Sequence, residues 1–238
     1  MGPPNLTELA NRFNSDKGTE YSEKHGYTLV YEQLFSPLKS TSIVFLEIGL
    51  CIGGPEFGMF LSDRIPTDIP SIRIWSEYFE QAKIYGFDIN DFSHLESEVD
   101  NFQFIQGDLS QERDLVNLAE TAAQLEAVEG QAVYDVILDD GSHASFHQQQ
   151  ALVLLFPYLK AGGIYIIEDL HWQSPTYEES LPTVPKTIDI LKQLSESENQ
   201  FIDLPENYLF QARILDLRRD IESIHFYCDD KLAVIHKK

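Results

Sequence analysis

The sequence specifies an α/β protein: a Rossmann-like, mostly parallel seven-stranded sheet with helices on both faces, a C-terminal antiparallel hairpin and a helical N-terminal extension. Three observations predict this. Short β-rich apolar runs alternate with segments of helical spacing from Ile43 onward, the pattern of strands joined by right-handed helical crossovers. Several of these runs stop at an acidic residue or a glycine, as strands do at the ligand-binding edge of an open sheet. The last two runs, Ile224 to Tyr227 and Leu232 to Ile235, are joined by Cys228-Asp229-Asp230-Lys231, a link short enough for a hairpin.

The elements follow in order. Leu6 to Phe13 and Tyr27 to Leu34 have helical spacing and are separated by the polar, glycine-containing segment Asn14 to Gly26; together they form the predicted extension, residues 1–40, ahead of a core over 41–238. Ile43 to Ile48 is the first strand, ended by Gly49 and followed by Gly53-Gly54-Pro55; Ile72 to Phe79 is then helical. Lys83 to Phe87 is a strand ending at Asp88, and Phe102 to Gln106 one ending at Gly107-Asp108. Glu112 to Val128 reads as a helix, Tyr134 to Leu138 as the fourth strand, and Phe146 to Leu159 as a helix, apolar on one face, ahead of a break at Gly162-Gly163. Ile164 to Ile167 is the fifth strand and Thr187 to Leu194 a helix, whereas the proline-bearing Ser174 to Pro185 and the polar Ser195 to Asn199 read as loops.

Composition narrows the function. A chain of 238 residues with 43% hydrophobic character fits one globular unit with a substantial core. Its formal net charge of -22, with Lys and Arg scattered, repels phosphate backbones and anionic lipid, which argues against nucleic acid and membrane surfaces as partners. Cys51 and Cys228 form no Cys-x-x-Cys pair, so neither a disulfide framework nor a zinc site is indicated. With no basic, apolar leader after Met1 and no apolar run near membrane-spanning length, the expected location is the cytoplasm.

The chemistry lies at strand ends. Asp139-Asp140-Gly141-Ser142-His143 and Glu168-Asp169 follow the fourth and fifth strands; if those strands are neighbours, Asp140, Glu168 and Asp169 converge as oxygen ligands of a hard metal, with His143 beside them as a base. Taken alone, Glu168-Asp169 also fits a helix N-cap and His143 a polar residue at a helix start. Glu47-Ile48-Gly49 followed by Gly53-Gly54 lacks the glycine that a dinucleotide fingerprint requires at position 51, where Cys51 stands. Glu47, Gly49 and Gly53 suit instead a cofactor with an amino-acid tail, Asp88 its ribose hydroxyls and Asp108 an adenine amino group. His94, His147, His225 and His236 share no ligand spacing and read as surface or packing residues, as do Trp75 and Trp172.

At these residues the chain resembles class I S-adenosylmethionine-dependent methyltransferases. Ser15-Asp16-Lys17-Gly18, His25-Gly26-Tyr27-Thr28, Ser71-Ile72-Arg73-Ile74-Trp75, Asp139-Asp140-Gly141-Ser142-His143 and Glu168-Asp169-Leu170 are similar to motifs of the metal-dependent sugar O-methyltransferases of the macrocin and mycinamicin type. The resemblance implies Asp140, Glu168 and Asp169 as ligands of Mg2+ (with Mn2+ or Ca2+ as substitutes) and His143 as general base. It further implies Glu47, Asp88, Asp108 and Asp139 on the cofactor side and the segment of His25 and Tyr27 as a lid. The chain departs from that pattern at Cys51 and in the stretch Pro55 to Pro70. The expected function is methyl transfer from S-adenosylmethionine to a hydroxyl of a sugar or of a polyketide or peptide intermediate, free or carrier-bound. The chain reads equally as a compact stand-alone enzyme, as a homo-oligomer or as a domain of a larger biosynthetic enzyme. The rival readings are a catechol-type O-methyltransferase, an NAD-dependent dehydrogenase or epimerase, and a catalytically silent scaffold.

Overall fold

The computed structural model describes residues 3–21, 23–50, 69–128, 130–196 and 202–238. The chain first forms two helices, α1 (Leu6–Arg12) and α2 (Thr28–Phe35). α1 starts at a reciprocal cap, in which Asn5 accepts from the Glu8 amide and Glu8 accepts from the Asn5 amide. Five parallel strands follow, β1 (Val44–Ile48), β2 (Lys83–Asp88), β3 (Phe102–Gln106), β4 (Tyr134–Asp139) and β5 (Leu159–Ile167), then the antiparallel pair β6 (Ile221–Tyr227) and β7 (Leu232–Lys237). The seven strands stand in the order β3-β2-β1-β4-β5-β7-β6. The order reverses beside β1, which opens a crevice between the carboxyl ends of β1 and β4, where open sheets bind ligands.

Side-chain alternation along each strand assigns two faces. Leu46, Ile48, Tyr85, Phe87, Ile137, Tyr165 and Ile167 belong to one buried cluster, under α4 (Glu112–Leu125), α5 (Ser145–Leu155), α7 (Thr187–Ser195) and α8 (Gln211–Asp220). Phe45, Ile84, Phe104, Val136, Leu138, Ile164 and Ile166 belong to the other, with α1, α2 and α3 (Pro70–Tyr78). Trp75 of α3 is fully buried there, with its ring 5.1 Å from that of Phe45. The same parity, continued past the strand ends, sends Glu47, Asp140 and Glu168 toward the α1–α3 face and Asp139 toward the other.

The structure lengthens and adds elements. β5 begins at Leu159 and runs through Gly162-Gly163, the site of the expected break: Gly162 adopts φ 75° and the register against β4 shifts between Tyr134 and Val136, so the strand absorbs the glycines as an irregularity. α5 accordingly ends at Leu155, and a 3-10 turn leads into β5. A short helix, α6 (Pro175–Ser180), lies in the segment expected to be loop, and α8 was not anticipated. In the hairpin, Cys228, Asp229 and Asp230 all take positive φ, so the predicted link turns through three left-handed residues.

Gly49 ends β1 with φ 79°, and a Cβ there would lie 2.2 Å from the Asp140 carbonyl oxygen. Its amide donates to Phe87 at 2.8 Å, and the Asp140 amide donates to Ile48 at 2.9 Å, so the ends of β1, β2 and β4 are tied across this point. Gly49→Ala should therefore destabilise the protein by at least about 2 kcal/mol, combining left-handed strain with a backbone clash. Urea unfolding checks this; an unchanged midpoint would show that the strand ends separate at little cost.

Candidate functional site

Parity places three carboxylates on one face and the N-terminal segment covers them. Lys17, between α1 and α2, is 2% exposed. Its ammonium pairs with Asp140, lies 2.8 Å from Glu168 Oε2, and lies 3.9 Å from Glu47 Oε1. The second Glu168 oxygen accepts from the Tyr31 hydroxyl of α2, so both oxygens of this buried carboxylate are held by the N-terminal segment. Glu47 Oε2 accepts from the Trp75 indole at 3.0 Å, while Oε1 is buried without a hydrogen-bond partner.

Asp169 forms a second centre. Its Oδ1 accepts from Tyr27 and lies 4.0 Å from His25 Nδ1 and 3.9 Å from His171 Nδ1; its Oδ2 lies 3.7 Å from His143 Nε2. Ligand atoms of Asp140, His143 and Asp169 all lie within 4.8 Å of one another. Of the sequence-assigned ligands, Asp140 and Asp169 thus meet directly with His143, whereas Glu168 adjoins them but directs its oxygens to Tyr31 and Lys17. His143 and Asp169 both adopt left-handed backbone, φ 60° and 55°, a conformation that costs energy outside glycine and concentrates at functional sites.

Charge explains the titration behaviour. Burial pushes Glu168 well above the usual carboxylate range, aided by Asp140 and opposed by Lys17, and burial likewise raises Asp140. Burial raises Glu47 to about 7, with Lys17 opposing. For Asp169, burial is outweighed by His143, the Tyr27 hydrogen bond, His25 and Lys17, which hold it below its ordinary value. Burial would lower Lys17, but Asp140, Glu168 and Glu47 keep its ammonium firmly protonated. Several carboxylates thus share one ammonium, and an oxygen-rich, anionic donor set of this kind fits a hard divalent cation; the Lys17 ammonium marks where positive charge is favoured.

The cofactor-side residues fall at the predicted edge. Asp88 accepts from the Leu50 amide at 2.9 Å and from Asn90, shaping the loop after β1. Asp108 lies beyond β3, where it accepts from the Ser110 amide at 2.8 Å. Asp139 faces away from Asp140, toward Tyr165, and burial raises it to about 7. Gly53, with Cys51, Gly54 and all but the end of the Pro55 to Pro70 stretch, lies outside the described residues.

Other residues escaped sequence reading. Lys17, Tyr27 and Tyr31 sit in or beside quoted motifs, but nothing local reveals that Lys17 reaches Glu168, 151 positions away. His147 is buried and bridges Ser110 at 2.7 Å and Ser142 at 2.6 Å, locking the loops after β3 and β4 together; burial lowers it to about 4. Trp75 packs as expected and also bonds Glu47, whereas Trp172, expected to be packing, is 38% exposed with its ring 5.7 Å from that of His143. Trp172 borders a cavity of about 490 Å³ lined also by Leu170, His171, Gln173, Glu178 and Lys186.

The strand order, the closing hairpin and the acid-lined carboxyl edge define the class I methyltransferase fold, with which the solved MycE methyltransferase of the mycinamycin biosynthetic pathway agrees. That structure, in complex with Mg, SAH and mycinamycin VI, matches with TM-score 0.69 and 26% identity over 98% of this chain and 54% of its own. More particularly, the chain is a homologue of the tetracenomycin-, macrocin- and mycinamicin-type O-methyltransferases. It is 32% identical over 240 residues to 8-demethyl-8-alpha-L-rhamnosyl tetracenomycin-C 2'-O-methyltransferase of Streptomyces olivaceus, covering 99% of this chain and 55% of that protein. It is 34% identical over 170 residues to demethylmacrocin O-methyltransferase of Streptomyces fradiae, covering 70% and 36%. With mycinamicin VI 2''-O-methyltransferase of Micromonospora griseorubida it shares 31% over 170 residues, 70% and 36%. The chain thus spans about half the length, or less, of the curated relatives it matches. No protein-family model matches it.

A pH test isolates Asp139. A carboxyl whose native pKa is raised to about 7 binds more protons folded than unfolded, so its share of stability is present at low pH and is lost between about pH 4 and 7. His147, lowered to about 4, acts with the opposite sign over the same range. The comparison is therefore between wild type and Asp139→Asn: in chelator, the variant should gain stability relative to wild type as pH rises from about 4 to 7. Urea unfolding across that range reads the difference, and a pH-independent difference would place the Asp139 carboxyl in a solvated state.

Proposed function

We infer that the chain carries the methyl-transfer site of an S-adenosylmethionine- and divalent-cation-dependent O-methyltransferase, acting on a hydroxyl of a sugar-bearing natural product. The observation that carries this reading is the grouping of Asp140, His143 and Asp169, with Glu168 adjoining, at the ends of the adjacent strands β4 and β5. Two relatives are named for O-methylation of a rhamnosyl tetracenomycin and of demethylmacrocin, and the MycE complex holds Mg and SAH, which supports both the acceptor class and the cofactors.

S-adenosylmethionine supplies an electrophilic methyl group. Glu47 and Gly49, with Gly53, are assigned to its amino-acid end, Asp88 to the ribose, and Asp108 and Asp139 to the rest of the cofactor side. Asp140, Glu168 and Asp169 would hold Mg2+, or Mn2+ or Ca2+ in its place, and the ion would supply a lowered pKa and a fixed aim for an acceptor hydroxyl. His143 takes the hydroxyl proton on its imidazole, whose Nε2 lies 3.7 Å from Asp169 Oδ2, beyond hydrogen-bond distance. Trp172 and the neighbouring cavity form the wall for the small-molecule acceptor. Residues 1–40 serve as a lid on the 41–238 core, pinned by Tyr27 and Tyr31. No helix among the described residues is long and apolar enough to cross a membrane.

The test is transfer of labelled methyl to glycosylated acceptors with and without chelator. Turnover should vanish in excess EDTA and return with Mg2+; full activity in chelator would refute the metal role. His143→Ala should bind cofactor and metal nearly as wild type yet turn over roughly 10²–10⁴-fold more slowly. Calorimetry with Asp88→Ala should show markedly weaker S-adenosylmethionine binding; unchanged affinity would remove Asp88 from the cofactor site.

A further inference from the structure

The Lys17 ammonium is buried at the position that an anionic site reserves for a cation. Its partners are Asp140 and Glu168, two of the residues assigned above as metal ligands, and Glu47 Oε1 lies 3.9 Å away. Glu168 has no spare oxygen in this arrangement, since Oε1 is taken by Tyr31 and Oε2 by Lys17. A divalent ion that enlists Glu168 together with Asp140 and Asp169 must compete for those oxygens, and a point charge on a four-carbon stem is the partner best able to yield.

We propose that Lys17 is an exchangeable internal counter-cation: its ammonium holds the acidic cluster together before metal binds, and metal loading displaces it from Glu168. The displacement reaches the backbone. The Lys17 carbonyl accepts from the Thr28 amide, the Asp16 carbonyl from His25 and the Gly18 carbonyl from Gly26, so the strip around Lys17 is laced to the strip that leads into α2 and carries Tyr27. Metal occupancy is thereby read out in the segment that covers the site. Lys17 acts here as a positioning residue, because it touches the ligands and not the reacting atoms.

The inference rests on the metal site proposed above, and the experiment separates the two. Mn2+ binding is measured by calorimetry and by electron paramagnetic resonance on wild type and Lys17→Met, without S-adenosylmethionine or acceptor. Removing the competing charge should tighten Mn2+ binding at least about tenfold, while in chelator Lys17→Met should melt below wild type and recover more on Mn2+ addition than wild type does. Equal or weaker Mn2+ binding by Lys17→Met, with wild type binding normally, overturns the exchange and leaves the metal site intact. Absence of Mn2+ binding by both proteins overturns the metal site and the exchange with it. If the variant does not fold in chelator, hydrogen exchange on wild type decides: Mn2+ should speed exchange of the Thr28 and Gly26 amides, and unchanged or greater protection refutes the displacement.

Discussion

Anionic charge buried on one side of the sheet is the constraint on which the rest of the structure depends. Strand parity sends Glu47, Asp140 and Glu168 to the same face, and Glu47 and Glu168 are almost wholly shielded from water. Isolated buried carboxylates are prohibitively costly unless they are paired, hydrogen-bonded or protonated. All three remedies are present: Lys17 pairs, Tyr31 and the Trp75 indole donate, and burial lifts Glu47 and Glu168 toward the protonated form. Each remedy comes from the N-terminal segment, from α3 or from burial itself, so those helices are as much electrostatic as apolar covers.

This also explains which parts of the site were legible. Asp88, Asp140, Glu168 and Asp169 were readable because an acid that stops an apolar run marks the edge of an open sheet, a local signal. Lys17 and Tyr31 were not, because their partners lie 123 to 151 residues away and only the fold makes them neighbours. The different directions of Asp139 and Asp140 follow from strand parity, but only once the strand is known to run through Asp139.

The fold divides in the same way. β1 to β4 were legible within a residue, because their apolar runs and bounding turns agree, and the hairpin was legible at its turn, although β6 begins earlier, at Ile221, and β7 runs on to Lys237. α8 was not, because its buried face amounts to Ile214 and Leu217, too few for periodicity to register. α6 buries no residue; a Ser174 cap and the contact of Glu178 with the Ser145 amide define it. β5 outran its expected start because glycines mark breaks only when the chain does not need to continue, and here the pairing of Leu159 with Tyr134 of β4 carries the strand past them.

Three imidazoles surround Asp169, so the assignment of the base has to come from geometry. His25 stacks on Tyr27 with ring centroids 4.9 Å apart, and its Nδ1 faces the same Asp169 oxygen that Tyr27 already occupies. His171 shares that oxygen and is the most exposed of the three, at 38%. His143 alone approaches the other oxygen, Oδ2, and its ring meets Trp172 at the mouth of the cavity. It is also the one histidine of the three held in left-handed backbone, just before the start of α5. On the reading that one of these imidazoles is the base, His143 is the one that neighbours both Asp169 Oδ2 and Trp172. Asp169 itself accepts from Tyr27, so the N-terminal segment and the carboxylate nearest His143 are joined at one residue.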